Sequence, residues 1–283
     1  MPDVQRYQVG AVTLTRVPYF DVGLDPASLQ LSAAAVDQVT WARPAWVDPV
    51  GRVLVGQAVW VIESEGRRIV VDPCGAADAF IRTGPEAITH QQAVLEALRA
   101  AGLPADKIDV VLLSHLDGIG MTALACGDGS WEPAFPNARI LMTTAELDYV
   151  AEARQIPSQI QGLAALHSLM EQGAVDGIGP PFACTSEVTV VETGGHSPGH
   201  AVVHVRSGEA HAVFLGHLAI TPVHVAVARG PGFHHEAAPA EAALESVLAA
   251  AAAEGTLVAG PLWPAPGAGY VSGPPWVITP ALD

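Results

Sequence analysis

The sequence predicts an α/β fold, and three observations carry that prediction. Short runs rich in Val, Thr and Ile, often alternating apolar with polar, recur along the chain and read as strands. Between them lie four longer stretches with apolar residues three and four apart, the period of an amphipathic helix. Strand pairs precede helices in each half, and no linker, repeat or charge block divides the 283 residues, so we read one domain spanning 1–283.

The predicted strands are, in order, Val9–Val17, Val53–Ile62, Arg68–Val71, Val110–Leu113, Arg139–Met142, Glu187–Val191, Ala201–Val205, Ala212–Leu215 and Thr256–Ala259. The predicted helices are Thr89–Ala101, Thr144–Ala153, Ile160–Glu171 and Ala240–Glu254. The last is Ala-rich, which we read as ordinary close packing. Half of the residues are hydrophobic, enough for a substantial core. Periodicity alone takes the prediction no further than α/β.

Charge and composition exclude several partners. The formal net charge is −16 and Lys107 is the only lysine, so a surface that tracks phosphates is not expected. Excess acid also disfavours anionic membranes, and we read it as solubility. Met1 to Gly10 lacks a basic start followed by an apolar core, so it does not read as a signal peptide. No apolar run approaches the ~20 residues of a transmembrane helix. Cys74, Cys126 and Cys184 give neither a disulfide framework nor a C-x-x-C pair, and a cytoplasmic location is the expectation. Cys74 reads as a small buried residue rather than a reactive thiol.

The chemistry concentrates at residues 111–120, VLLSHLDGIG. An apolar run ends in Ser114-His115, as a buried strand delivering a ligand to a loop would. Other segments stand in a fixed order around it. Asp72-Pro73-Cys74-Gly75 follows Arg68–Val71; Phe135-Pro136-Asn137-Ala138-Arg139-Ile140 precedes Ala145-Glu146-Leu147-Asp148-Tyr149. Thr193-Gly194-Gly195-His196-Ser197-Pro198-Gly199-His200, Phe214-Leu215-Gly216-His217 and the stretch from Leu262 to Tyr270 come after. Together these resemble the metallo-β-lactamase superfamily, in its lactonase-like branch, over roughly residues 8 to 275. The resemblance implies a four-layer αββα sandwich with a metal centre at one edge.

The resemblance also implies a degenerate centre. In the superfamily one ion is held by H-x-H and the loop His, a second by D-H and a C-terminal His, and an Asp bridges them. Carried over, the first site keeps His115 and His196 and has Asp117 in place of a His. The second site has Ile119, Gly120 and Pro261, none of which binds a metal, and the bridge is His217. Two +2 ions ~3.5 Å apart repel by roughly 19 kcal/mol at an effective dielectric of ~20, and a neutral imidazole does not screen that. The expectation is therefore one divalent ion (Zn, Fe or Mn) on His115, Asp117, His196 and His217, or none. The same resemblance makes Asp72 an outer carboxylate that orients a ligand, and His200 a residue that fixes the loop. Tyr270, replacing a family His, is a candidate to present its phenol to a substrate oxygen. His224, His234 and His235 lie in a segment near the substrate; His234 and His235 read as solvated loop histidines before proton shuttles. Trp131, Trp263 and Phe233 line either a pocket or the core.

Several functions fit, all with a small-molecule partner. A one-metal hydrolase would cleave an ester or lactone, with Asp117 or a pocket His moving the proton. A mononuclear iron oxygenase would use His115, Asp117 and His196. A metal-independent enzyme would perform ring opening, cyclisation, elimination or isomerisation with Asp117, His196 and His217 as acid and base. A non-catalytic binding protein is the limiting case. No G-x-S-x-G elbow surrounds Ser114 or Ser197, and no P-loop or dinucleotide fingerprint is present.

Overall fold

A computed structural model describes residues 3–73, 85–126, 128–152, 160–227 and 234–281; Cys74 and Phe233 lie outside them. The described strands are β1 (Gln5–Val9), β2 (Val12–Leu24), β3 (Val53–Ser64), β4 (Arg67–Val71), β5 (Val110–Leu112), β6 (Ala123–Ala125), β7 (Trp131–Pro133) and β8 (Arg139–Thr143). They continue with β9 (Val175–Ile178), β10 (Phe182–Ala183), β11 (Val188–Glu192), β12 (Ala201–Ser207), β13 (Ala210–Phe214), β14 (Leu257–Ala259), β15 (Ala268–Ser272) and β16 (Val277–Pro280). The described α-helices are α1 (Ala33–Gln38), α2 (Pro85–Ala100), α3 (Thr144–Glu152), α4 (Ile160–Glu171) and α5 (Ala237–Glu254).

Two seven-stranded sheets form the body, ordered β1-β2-β3-β4-β5-β8-β9 and β10-β11-β12-β13-β14-β15-β16. The first turns parallel from β4 onward (Ile69↔Val110, Val110↔Arg139, Ile140↔Val175), and the second has one parallel pair, β13 with β14. Alternation along the strands sorts the core into three layers. Trp60, Ile62, Ile69 and Val71 of the first sheet meet Val203, Val205, Ala212 and Phe214 of the second. Val59, Val61, Val70 and Val111 face the other way, onto Val94 and Leu98 of α2 and Leu163 and Leu166 of α4. Val202, Val213 and Val258 pack outward against Leu248 and Ala251 of α5. Helix, sheet, sheet, helix is the αββα sandwich that the resemblance implied. Strands covered on both faces explain the near-continuous apolar run of β3. No helix among the described residues is long and apolar enough to cross a membrane.

One predicted element divides. Val9–Val17 is not one strand: it spans the last residue of β1, a two-residue turn and the start of β2, which runs on to Leu24, and Val9 pairs with Val12. Gly10 turns the chain at φ +59°, where a Cβ would stand 2.3 Å from the Ser207 carbonyl oxygen. The alternation of apolar residues runs through this two-residue turn and hides it.

Candidate functional site

The site lies where strand ends of both sheets meet. β5 delivers Ser114 and His115 into a 3-10 stretch, Leu116–Thr122, that carries Asp117. The loop between β11 and β12 carries His196, and the end of β13 carries His217 in the short 3-10 turn Gly216–Leu218. Ligand atoms of His115, Asp117, His196 and His217 all lie within 4.8 Å of one another. His115 Nε2 is 2.9 Å from His217 Nδ1, and Asp117 Oδ2 is 3.8 Å from the first and 3.6 Å from the second. His115 and His217 are buried, whereas Asp117 and His196 are half-buried and form the accessible side.

These distances fit one ion. Two ligands with bonds of about 2.0–2.2 Å to the same ion stand at most about 4.4 Å apart, so the widest separation must contract by only a few tenths of an ångström. A 90° angle at such bonds gives a separation of about 2.9 Å and a tetrahedral angle about 3.3 Å. The 2.9 Å between His115 and His217 suits the first, which belongs to ions with more than four positions. Three imidazoles and one carboxylate suit Zn²⁺, Fe²⁺ or Mn²⁺.

Electrostatics match those roles for His196 and Asp117, whereas His115 favours a proton that an ion would have to displace. Burial is the largest influence on His196 and, with the neighbouring histidines, holds its pKa well below the ordinary value, so the ring is neutral, as a ligand must be. Burial also lowers His115, but the Asp117 carboxylate, with Asp72 and Glu146, outweighs it and holds the pKa above the ordinary value. Burial raises Asp117, yet His115 and His217 outweigh it and hold the carboxyl well below the usual carboxylate range.

Supporting residues hold the four in place. Asp72 Oδ1 accepts the Ser114 N–H at 2.7 Å, and burial raises the Asp72 carboxyl above the usual range. Ser114 Oγ lies 2.8 Å from His115 Nδ1. His200 fixes more than its own loop: Nε2 accepts the His217 backbone N–H at 3.1 Å, so its Nδ1 donates to Thr193 Oγ1 at 2.7 Å. Gly216 is required there, because at φ +54° a Cβ would stand 2.5 Å from His200 Nε2.

Two contributors were not legible as such. Glu146, fully buried in the first turn of α3, accepts the Leu116 N–H through Oε1 at 3.0 Å and the Gly199 N–H through Oε2 at 3.1 Å. It thereby ties the His115–Asp117 segment to the His196 loop. The AELDY segment marked its position but not its partners. His234 is not a solvated loop residue: it is half-buried, with Nδ1 3.0 Å from His196 Nδ1. His235 is exposed and sits edge-on to Tyr149.

The remaining candidates take up other places in the structure. Tyr270 sits on β15 with its side chain half exposed, outside the four-residue group. Its alternate neighbours Gly269 and Val271 are the buried ones, so strand geometry turns the phenol outward. His224 is a buried cap: Nδ1 accepts the Thr221 N–H and Nε2 donates to the Leu29 carbonyl oxygen. Trp263 is core, donating Nε1–H to the Ala219 carbonyl oxygen, and Trp131 packs partly buried on β7. Of the positions that the resemblance assigns to a second ion, Ile119 is buried in the apolar layer with Leu116 and Met121, and Gly120 kinks the 3-10 stretch at φ +30°.

No family model and no curated protein sequence matches the chain. Solved structures do. The hydrolase AbOPH, of the beta lactamase superfamily, matches with a TM-score of 0.78 at 20% identity, over 99% of this chain and 98% of its own. AidC, a dizinc quorum-quenching lactonase in complex with a product, matches at 0.77 and 18% identity, over 99% and 98%. A probable metal-dependent hydrolase from Staphylococcus aureus matches at 0.73 and 13% identity, over 98% and 100%. Likeness of this extent at such identities establishes the fold.

Proposed function

On that metallo-β-lactamase fold, we propose that the chain is a hydrolase of small ester- or lactone-type molecules, using one divalent ion held by His115, Asp117, His196 and His217. The observation that carries this reading is the convergence of the four groups within 4.8 Å, with spacings that one ion can span. The similar structures add to it: AidC is a dizinc lactonase in complex with a product acyl-homoserine. When bound, the ion supplies Lewis acidity and lowers the pKa of water toward neutrality. The chain's own residues do the rest. His115, His196 and His217 bind as neutral imidazoles. Asp117 contributes the one negative charge of the group and, half-buried on the accessible side, would orient the attacking water as a hydrogen-bond acceptor. Ile119, Gly120 and Pro261 leave a second ion without ligands, so the chemistry differs from that of a dizinc enzyme.

A second reading draws on the 2.9 Å contact itself. That is also the length of an imidazole–imidazole hydrogen bond, and with Asp117 beside it the cluster is a ready acid–base pair without any ion. It would serve ring opening, elimination or isomerisation. The iron oxygenase stays with the first reading until the ion is identified, because His115, Asp117 and His196 also make two imidazoles and a carboxylate.

Elemental analysis of the untagged protein by plasma mass spectrometry separates these. About one equivalent of zinc, iron or manganese, with ester or lactone turnover lost on chelation, is the expected result. Iron with oxygen-dependent turnover selects the oxygenase. No metal after reconstitution, with turnover intact and reduced by Asp117→Asn, sinks the metal reading and selects the acid–base one.

A further inference from the structure

We propose that His234 is a positioning residue for this centre: it grips His196 by Nδ1 and so fixes Nε2 as the nitrogen that His196 presents to His115, Asp117 and His217. The inference rests on the metal-binding reading and adds a residue to it.

The two Nδ1 atoms are 3.0 Å apart and the rings stand perpendicular, at 89° with centroids 5.2 Å apart. Two ring nitrogens at that distance share one proton, so one donates and the other accepts. An imidazole that coordinates through Nε2 keeps its proton on Nδ1. His196 is therefore the donor and His234 the acceptor, with the His234 proton on Nε2. Ligand imidazoles commonly receive this support from a carboxylate or a carbonyl. A neutral imidazole in that place orients the ring without adding negative charge to a group that already carries Asp117.

The backbone sets this contact. The His235 N–H donates to the His196 carbonyl oxygen at 2.9 Å, and the Glu236 N–H to the Gly195 carbonyl oxygen at 2.8 Å. Residues 234–236 are thus joined to 195–196 at three successive points, two of backbone and one of side chain. Gly195 allows the approach: at φ +80° a Cβ would stand 2.4 Å from the Ala240 nitrogen in the first turn of α5. His234 also lines a cavity of about 220 Å³ with Glu241 and Trp276. The ring therefore touches both His196 and that cavity. Truncation would remove the acceptor, whereas Asn keeps a carbonyl oxygen near the place of Nδ1.

The test pairs zinc affinity, by competition with a chelating dye, with the His196 tautomer, by long-range proton–nitrogen NMR on zinc-free and zinc-loaded protein. We expect His196 to carry its proton on Nδ1. His234→Ala should weaken zinc about 10–100-fold and change the tautomer signal, and His234→Asn should restore both toward wild type. Wild-type affinity, or an unchanged tautomer in zinc-free His234→Ala, overturns the proposal, as does equal damage from Ala and Asn in variants of equal melting temperature. Failure of the metal reading looks different: wild-type protein then takes up no zinc that His196→Ala abolishes. In that case the tautomer alone decides. A proton on Nδ1 that moves in His234→Ala sustains the grip, and a proton on Nε2 in wild type overturns it.

Discussion

Two positions of one 3-10 stretch, two residues apart, meet opposite surroundings. Asp117 stands beside His115 and His217 at the polar centre, whereas Ile119 is 1% exposed within the apolar layer under α2 and α4. Gly120, at φ +30° and ψ −116°, breaks the helical path between Ile119 and Met121, which is also buried. One stretch therefore gives the four-residue group a carboxylate at one position and the core an apolar side chain two residues on. The lesson is that a single 3-10 segment, bent at Gly120, serves both the polar centre and the apolar layer.

Three experiments can break that comparison. The largest effect is expected at the polar centre: His115→Ala and His196→Ala should each take bound zinc from about one equivalent to none, because each removes a ligand from a four-donor set. Full retention in both would mean that the ion sits elsewhere. In the apolar layer, Ile119→Asp should cost at least about 3 kcal/mol in urea unfolding, from lost packing and a carboxyl buried among apolar side chains. The triple change Ile119→Asp, Gly120→His, Pro261→His should still bind no second equivalent. A second ion with stability retained would show that these positions can hold a metal without cost to the core.

Much of this contrast was legible in the residues, and the reasons for the rest are physical. α4 matches its predicted bounds, Ile160–Glu171, and most core strands differ from prediction by one to three residues, because both-face burial writes itself as apolar runs. The short strands β6, β7, β9, β10, β15 and β16 were not predicted; they are two to five residues long, and several contain Gly or Pro. The four convergent groups were legible through motif order. Glu146 and His234 were not, since their partners lie 30 and 53 residues away in one case and 38 in the other. Nothing local distinguishes a buried helix Glu that accepts two loop amides from a solvated one.

Smaller effects should follow from the framework that keeps the polar centre in place. Glu146→Ala leaves the Leu116 and Gly199 N–H groups without their acceptor, and should cost about 2–4 kcal/mol by the penalty for unsatisfied buried donors. Zinc affinity should fall with it, because one carboxylate ties both ligand-bearing loops. Stability lost at unchanged affinity would show that the loops hold their own shape. Gly216→Ala should cost about 1–3 kcal/mol, since an L-residue at φ +54° is strained and its Cβ would press on His200. A neutral outcome would mean that His200 does not fix the His217 backbone.

The smallest effect is a reference measurement far from the centre. Burial pushes the Cys184 thiol up to about 11. At pH 8 the thiolate fraction is then about one in a thousand, and alkylation should run roughly 200-fold slower than for an ordinary cysteine of pKa about 8.5. Its rate should climb about tenfold per pH unit and level off near pH 11. Cys184 follows β10, and its N–H donates to the Val188 carbonyl oxygen at 2.9 Å, so its reactivity reports whether that sheet edge is closed. In Ile119→Asp the inflection should stay put if the damage is confined to the layer under α2 and α4. A shift toward 8.5 in that variant would mean that the apolar packing around Ile119 supports both sheets, and stabilises the whole sandwich rather than one edge.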